Sequence, residues 1–179
     1  MGECDVLPGK MIALGQCLAE IGRTPPEERP SWTTFDLVDQ IVKGQGEVGI
    51  ADWVVDSSPP MTPWESVAEI LAIMIWSTSD NGRGIVRDAE RWLALGVDER
   101  RVFVALNLDV YPFRDPSEME SVLARAASAF PRQAELCVSM VASRRGLMEQ
   151  DGGGQSASRS ETASEGGYKP QSDAEVRPW

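Results

Sequence analysis

Apolar side chains recur every three or four residues along most of the first 146 residues, the spacing of one face of an α-helix. This spacing begins at residues 11–21, and after a proline-rich loop it resumes at residues 35–42, where Thr33 or Thr34 is the predicted N-cap. Further helical segments cover residues 64–77, 85–95, 119–130 and 131–145. The pattern predicts an all-α domain, a compact bundle of five or six helices over residues 1–146.

A Thr-Pro-Trp-Glu sequence at residues 62–65 is the clearest local signal for the start of a helix. Thr62 can cap the helix, Pro63 suits the first turn and Glu65 can bond back to the cap. The helix that follows is apolar nearly all round after Glu69, which is typical of a helix buried on several sides. We therefore expect it to form the centre of the core.

Two segments fit either a helix or a strand. Residues 102–110 alternate apolar and other side chains, as a strand does, but they also give one apolar face if Asp98 caps a helix. Residues 48–55 are the one plausible strand partner. The helix is favoured because strand candidates are so few, and the alternative is one short β-hairpin on the helical body.

The composition changes near Gly146, which is the predicted end of the last helix. Residues 147–179 are rich in Gly and Ser and hold few apolar side chains, so they cannot bury enough surface to offset their ordering entropy. A flexible or extended C-terminal tail is predicted here. It finishes in Val-Arg-Pro-Trp, which makes Trp179 a candidate docking residue.

The charge of the chain narrows its possible partners. The 179 residues include 17 Lys and Arg, 28 Asp and Glu, and no His, for a net charge of −11. A protein this acidic is poorly suited to bind nucleic acid directly, because phosphates are neutralised by Lys and Arg. We expect the partner to be another protein with a basic surface.

Catalytic, metal and membrane signals are weak. The absence of His removes the commonest general base and metal ligand, and the three Cys are too far apart for a zinc site, so no catalytic residue, metal or cofactor is predicted. The longest apolar run, residues 70–76, is short of the roughly 20 residues that a membrane span needs. With no N-terminal signal sequence, a cytoplasmic location, or one within a phage or virus particle, is expected.

Arginine and tryptophan supply the candidate binding residues. Arg83, Arg87 and Arg91 are four residues apart and line one helix face, where they could hold a phosphate or an acidic partner unless neighbouring acids pair with them. Trp32 and Trp53 lie beside loops, so either could be an exposed anchor.

Non-catalytic protein binding is the function these features favour. A bacterial or phage accessory protein fits best: an assembly or secretion chaperone, an immunity or antitoxin protein, or a small virion component. One alternative is an acidic mimic of nucleic acid that inhibits a DNA- or RNA-binding protein. Another is an enzyme using carboxylate and arginine chemistry, in which Glu65, Glu69 and Arg83 would line one pocket.

Overall fold

The structure, a computed structural model, describes residues 9–96 and 98–153, and for residues 148–153 it describes the backbone alone. These residues form eight α-helices and two short 3₁₀ helices, and none of them lies in a strand. The all-α prediction is confirmed, with more helices than the five or six expected. The α-helices are α1 (Gly9–Arg23), α2 (Trp32–Gln45), α3 (Ile50–Ser57), α4 (Trp64–Ser77), α5 (Arg83–Leu95), α6 (Glu99–Leu106), α7 (Pro116–Ala129) and α8 (Ala134–Gly153).

Both segments that could have been strands are helical. Residues 50–57 form α3, whose buried side chains at positions 50, 51, 54 and 55 have helical spacing. Residues 102–106 lie in α6, where Val102, Val104 and Ala105 are all fully buried. Apolar side chains alternate in this segment because α6 is buried on several sides. The helix prediction is confirmed for residues 102–106, whereas residues 107–110, which it also covered, lie in the loop after α6. The alternative β-hairpin is absent from the residues that the structure describes.

Two predicted N-caps are wrong. Ser31, not Thr33 or Thr34, caps α2, because its hydroxyl accepts a hydrogen bond from the Thr34 N–H at 3.2 Å. Thr62 does not cap α4: its own N–H donates to a carbonyl in the preceding turn, and the N-cap position is taken by Pro63, which has no side-chain acceptor. A proline-rich approach to α4 thus replaces the predicted capping box.

The ends of α5, α6 and α7 follow the sequence signals. Asp98 accepts from the first backbone N–H groups of α6, and Asp115 accepts from the Ser117 N–H at the start of α7. Gly96 ends α5 in a left-handed conformation with φ of 57°. Each of these helix ends depends only on groups within a few residues, and the predicted Asp98 cap is confirmed.

The core is organised around α4, which contacts α1, α2, α3, α5 and α6. Seven of its fourteen residues are buried, so the prediction that α4 forms the centre of the core is confirmed. Trp76 is the exception, since 83% of its surface is exposed near the end of the helix.

The last two helices form a pair, α7 against α8, that joins the body through α5 and α6. α8 does not stop at Gly146 as predicted but continues to Gly153. A single glycine is tolerated inside a helix, and the residues after it, Leu-Met-Glu-Gln, are good helix formers. The remainder of the predicted tail, residues 154–179 with Trp179, lies outside the described residues.

Among the helices that the structure describes, none is both long enough and apolar enough to cross a lipid bilayer.

Candidate functional site

A groove of about 450 Å³ opens on the surface between α4, the end of the loop that joins α1 to α2, and the loop that joins α6 to α7. We call it the aromatic groove. Its lining is mostly apolar and includes two aromatic side chains, Phe35 from α2 and Trp76 from α4. The remaining lining residues are Pro26, Arg29, Pro30, Glu69, Ala72, Ile73, Ile75, Asp109 and Val110.

One face of α4 forms the floor of the aromatic groove. Glu69, Ala72, Ile73 and Trp76 are spaced three, four and seven residues from the first, so they lie along one side of the helix. The other sides of α4 are covered by neighbouring helices. This face is left as an apolar strip with a large indole at one end.

An ion pair fixes the α1–α2 loop against that floor. Arg29 donates from Nη1 to Oε2 of Glu69 at 3.1 Å and from Nε to the Thr24 carbonyl at 2.6 Å. Both charged side chains are only about a quarter exposed. Arg29 therefore holds the prolines of the loop, which form one wall of the groove, at a fixed distance from α4.

The opposite wall, Asp109 and Val110, is positioned by its buried neighbours in the α6–α7 loop. Leu108 is 4% exposed and Phe113 is 7% exposed, so both sides of the wall are anchored in the core. The Phe113 N–H also donates to Oε1 of Glu90 on α5 at 2.8 Å. The groove thus depends on contacts between residues far apart in the chain.

Exposed aromatic side chains gather at this groove. Trp76, which lines the groove, is 83% exposed. Trp32 is not a lining residue, but it is 87% exposed and its ring centroid lies 6.1 Å from that of Phe35, which is one. Exposed apolar side chains that share one surface often mark an interaction site. Trp32 was among the residues predicted as exposed anchors; Trp76 and Phe35 were not, because apolar residues of core helices are usually buried.

The net negative charge of the described chain comes mainly from the residues before α5, which supply most of the groove lining. Residues 9–82 hold eleven acidic and four basic side chains, whereas residues 83–153 hold eleven acidic and ten basic ones. Three of the four basic side chains in residues 9–82 pair with acids of the same segment, Arg23 with Glu20, Arg29 with Glu69 and Lys43 with Asp39.

The predicted arginine face on α5 is divided by the fold. Arg91 pairs with Asp88 at 2.9 Å and with Asp52 at 2.5 Å, so its charge is used within the structure. Arg83 and Arg87 are exposed and form no ion pair with a described residue. In the Gly82-Arg83-Gly84 turn at the start of α5, the Gly84 N–H is not available to an anion, because it donates to the Asp80 carboxylate at 2.8 Å.

Trp53, the other candidate anchor, packs partly against the core, and the Lys10 Nζ lies 5.4 Å from its ring centroid. It is not exposed as Trp32 is. The three residues of the enzyme hypothesis do not converge either. Glu69 lines the aromatic groove, Glu65 lines a separate depression beside Trp64 and Phe103, and Arg83 lines neither.

Two carboxylates with a lowered pKa, Asp52 and Asp98, belong to an ion-pair network between α3, α5 and α6. Burial acts to raise the pKa of Asp52, but hydrogen bonds from Trp92 and Arg91 outweigh it and hold the pKa below its usual value. The pKa of Asp98 is lowered in the same way, and the hydrogen bond from Arg101 is the largest contribution that opposes burial. Arg101 contacts Asp52, Asp56 and Asp98 at once. Because every partner in these ion pairs is a residue of this chain, we interpret the network as a link between helices and not as a ligand site.

The part of the chain that the structure describes offers no site for cysteine or metal chemistry. Cys17 and Cys137 are buried, and burial raises the pKa of Cys17 to about 12 and that of Cys137 in the same direction. Among residues 9–96 and 98–147, no three Asp, Glu, Cys or His side chains are grouped closely enough to hold a metal ion.

Comparison with known proteins gives no relative for the chain: no protein-family model, no curated protein and no solved structure matches it.

Proposed function

We propose that this chain is a non-catalytic protein-binding protein that holds its partner through the aromatic groove. The single observation that carries the proposal is the exposure of two tryptophans, Trp76 in the groove lining and Trp32 against Phe35, which also lines the groove. Exposed tryptophans are enriched among the residues that dominate the binding energy of protein interfaces. The roles expected from the sequence, an assembly or secretion chaperone, an immunity or antitoxin protein or a small virion component, all require such a surface.

The rigidity of the groove supports the same proposal. The Arg29–Glu69 ion pair holds one wall, and the buried side chains of Leu108 and Phe113 hold the other. A site whose shape exists before binding loses less entropy when the partner arrives. The groove is also open to the surface, which suits a segment of polypeptide better than a small enclosed substrate.

The test compares two double variants of the full chain. Trp32→Ser/Trp76→Ser removes the exposed indole in the groove lining and the exposed indole that packs against Phe35, and Val48→Ser/Met61→Ser removes two highly exposed apolar side chains outside the groove. Each tagged variant is purified from the cells that produce the protein, and the protein bound in stoichiometric amount is then made separately and titrated against each variant.

The proposal predicts that the tryptophan variant loses the partner and the control variant retains it. Circular dichroism should show both variants folded, because all four side chains are on the surface. The proposal is overturned if the partner binds both variants equally, or if no stoichiometric partner binds the wild-type chain at either low or moderate salt.

A further inference from the structure

We propose that the ligand of the aromatic groove is a segment of a partner protein in which an arginine stands beside an aromatic or large aliphatic side chain. This inference rests on the proposed function and adds to it the chemistry that the groove selects. It follows from where the charges of the lining and rim are placed.

The lining itself carries three charged side chains, Arg29, Glu69 and Asp109. Arg29 and Glu69 neutralise each other through their 3.1 Å ion pair, which leaves one net negative charge. Asp109 is exposed and forms no ion pair with any residue that the structure describes. An apolar lining with one uncompensated carboxylate in its wall calls for an apolar ligand with one positive charge.

The residues next to the lining increase this preference. Glu27 and Glu28 follow Pro26 on one wall, and Asp36 follows Phe35 on α2. None of these three carboxylates takes part in an ion pair within residues 9–96 and 98–147. Their charge disfavours an acidic ligand segment and favours a basic one.

Arginine fits the lining better than lysine does. A guanidinium stacks flat on aromatic rings and can form two parallel hydrogen bonds to one carboxylate, whereas an ammonium is a strongly hydrated point charge. Here the indole of Trp76 and the ring of Phe35 line the same groove as the Asp109 carboxylate. The neighbouring apolar side chain of the ligand would then cover Ala72 and Ile73 on the floor.

The test uses synthetic eight-residue peptides, labelled with a fluorophore, against the full-length protein. The reference peptide contains one Arg-Trp pair in a Gly-Ser background. Three matched peptides change Arg to Lys, Arg to Glu, or Trp to Ser. Fluorescence anisotropy measures the affinity of each peptide for the wild-type protein, for Asp109→Asn and for Glu118→Gln, an exposed acidic position on α7 outside the groove.

The reference peptide should bind most tightly, and Asp109→Asn should weaken it about three- to tenfold while Glu118→Gln leaves it unchanged. The peptide with Lys in place of Arg should bind more weakly. The peptides with Glu in place of Arg, or Ser in place of Trp, should bind more weakly still. Trp76→Ser should weaken every peptide that carries Trp.

Equal binding of the Arg, Lys and Glu peptides, unaffected by Asp109→Asn but lost in Trp76→Ser, would overturn this inference and leave the proposed function standing. Binding unaffected by Trp76→Ser would overturn both. A Trp179→Ser variant of the full chain completes the set: if it binds the reference peptide more tightly than wild type does, the chain's own Arg-Pro-Trp sequence competes for the groove, and an external partner is the wrong occupant.

Discussion

The indole Nε1 of Trp92 donates a hydrogen bond to Oδ1 of Asp52 across 2.9 Å, and this contact joins α5 to α3. Trp92 is only 3% exposed, so its N–H relies on that carboxylate for a partner. The other oxygen of Asp52 accepts from Arg91. One carboxylate thus satisfies a buried donor and a cation at the same time.

We expect Asp52→Ala to lower the free energy of unfolding by about 1–3 kcal/mol, because it leaves the buried indole N–H without an acceptor. Asp52→Asn should cost less, since its amide oxygen can still accept from Trp92. The control is Asp56→Ala, whose carboxylate is 62% exposed and pairs with Arg101, for which a loss below about 1 kcal/mol is expected. Urea unfolding measures all three, and equal losses for the two alanine variants would contradict the assigned role of Asp52.

The same carboxylate should make stability depend on pH in the acid range. The pKa of Asp52 in the folded protein lies below its ordinary value of 3.8, so ionised Asp52 stabilises the fold above that pH, and the contribution is lost as the pH falls through the folded pKa. Asp98 acts in the same direction. The difference in unfolding free energy between wild type and Asp52→Asn should therefore be constant near neutral pH and shrink below 3.8. A difference that is unchanged down to about pH 3 would show that Asp52 is not stabilised in its ionised form.

Gly82, at the start of α5, should tolerate no side chain. Its φ is +74°, and a Cβ there would lie 2.6 Å from Cγ2 and 2.9 Å from Cα of Ile75 on α4. Gly49 has a similar φ of +66° but open space around it. We expect Gly82→Ala to cost about 3 kcal/mol or more and Gly49→Ala about 1 kcal/mol, the cost of the left-handed conformation alone. Thermal unfolding of the two variants separates steric overlap from backbone strain, and equal losses would refute the close approach of α4 and α5.

The two buried cysteines should resist thiol reagents in the folded protein. With a pKa of about 12, Cys17 holds a thiolate fraction on the order of 10⁻⁴ at pH 8, and the reagent must also reach a fully buried sulfur. In a Cys4→Ser variant, maleimide labelling at pH 8 should be slow in buffer and complete within minutes in concentrated urea. Rapid labelling in buffer would mean that α1 opens readily from the core.

Collisional quenching of fluorescence can verify that Trp32 and Trp76 are exposed. Acrylamide should quench Trp32 and Trp76 efficiently and Trp92 poorly, because the first two are more than four-fifths exposed and the third is buried. A Trp32→Phe/Trp76→Phe variant should therefore lose much of the quenchable fluorescence of the wild-type chain. Trp92→Phe is the control and should leave that quenchable component in place. Loss of the component in Trp92→Phe, but not in the double variant, would place Trp32 and Trp76 in the interior.

Much of the fold could be predicted because its helices are marked by local signals. Asp98, Asp115 and Gly96 act on backbone groups within a few residues, so their roles can be inferred without knowing the rest of the structure. The capping box at Thr62 was wrong because a competing turn uses its N–H, and the sequence does not reveal which of two local hydrogen-bond arrangements forms. α3 was mistaken for a possible strand because eight residues are too few to distinguish the two periodicities.

The aromatic groove could not be predicted in the same way. Trp76 belongs to an uninterrupted apolar run, and nothing in that run indicates which residue is left uncovered by the neighbouring helices. The groove exists because Asp109 and Val110 approach α4 from more than thirty residues away in the chain. Trp32 could be proposed because its position after a proline-rich loop already suggested an unsheltered side chain.

The uncompensated Asp109 carboxylate gives the aromatic groove a local negative potential. Glu27, Glu28 and Asp36, which are next to lining residues in the chain, are likewise without an ion pair to a described residue. A basic protein is attracted toward such a surface before the two molecules touch. More of its diffusional encounters therefore begin with the groove facing the partner, which raises the association rate without adding a single contact to the complex.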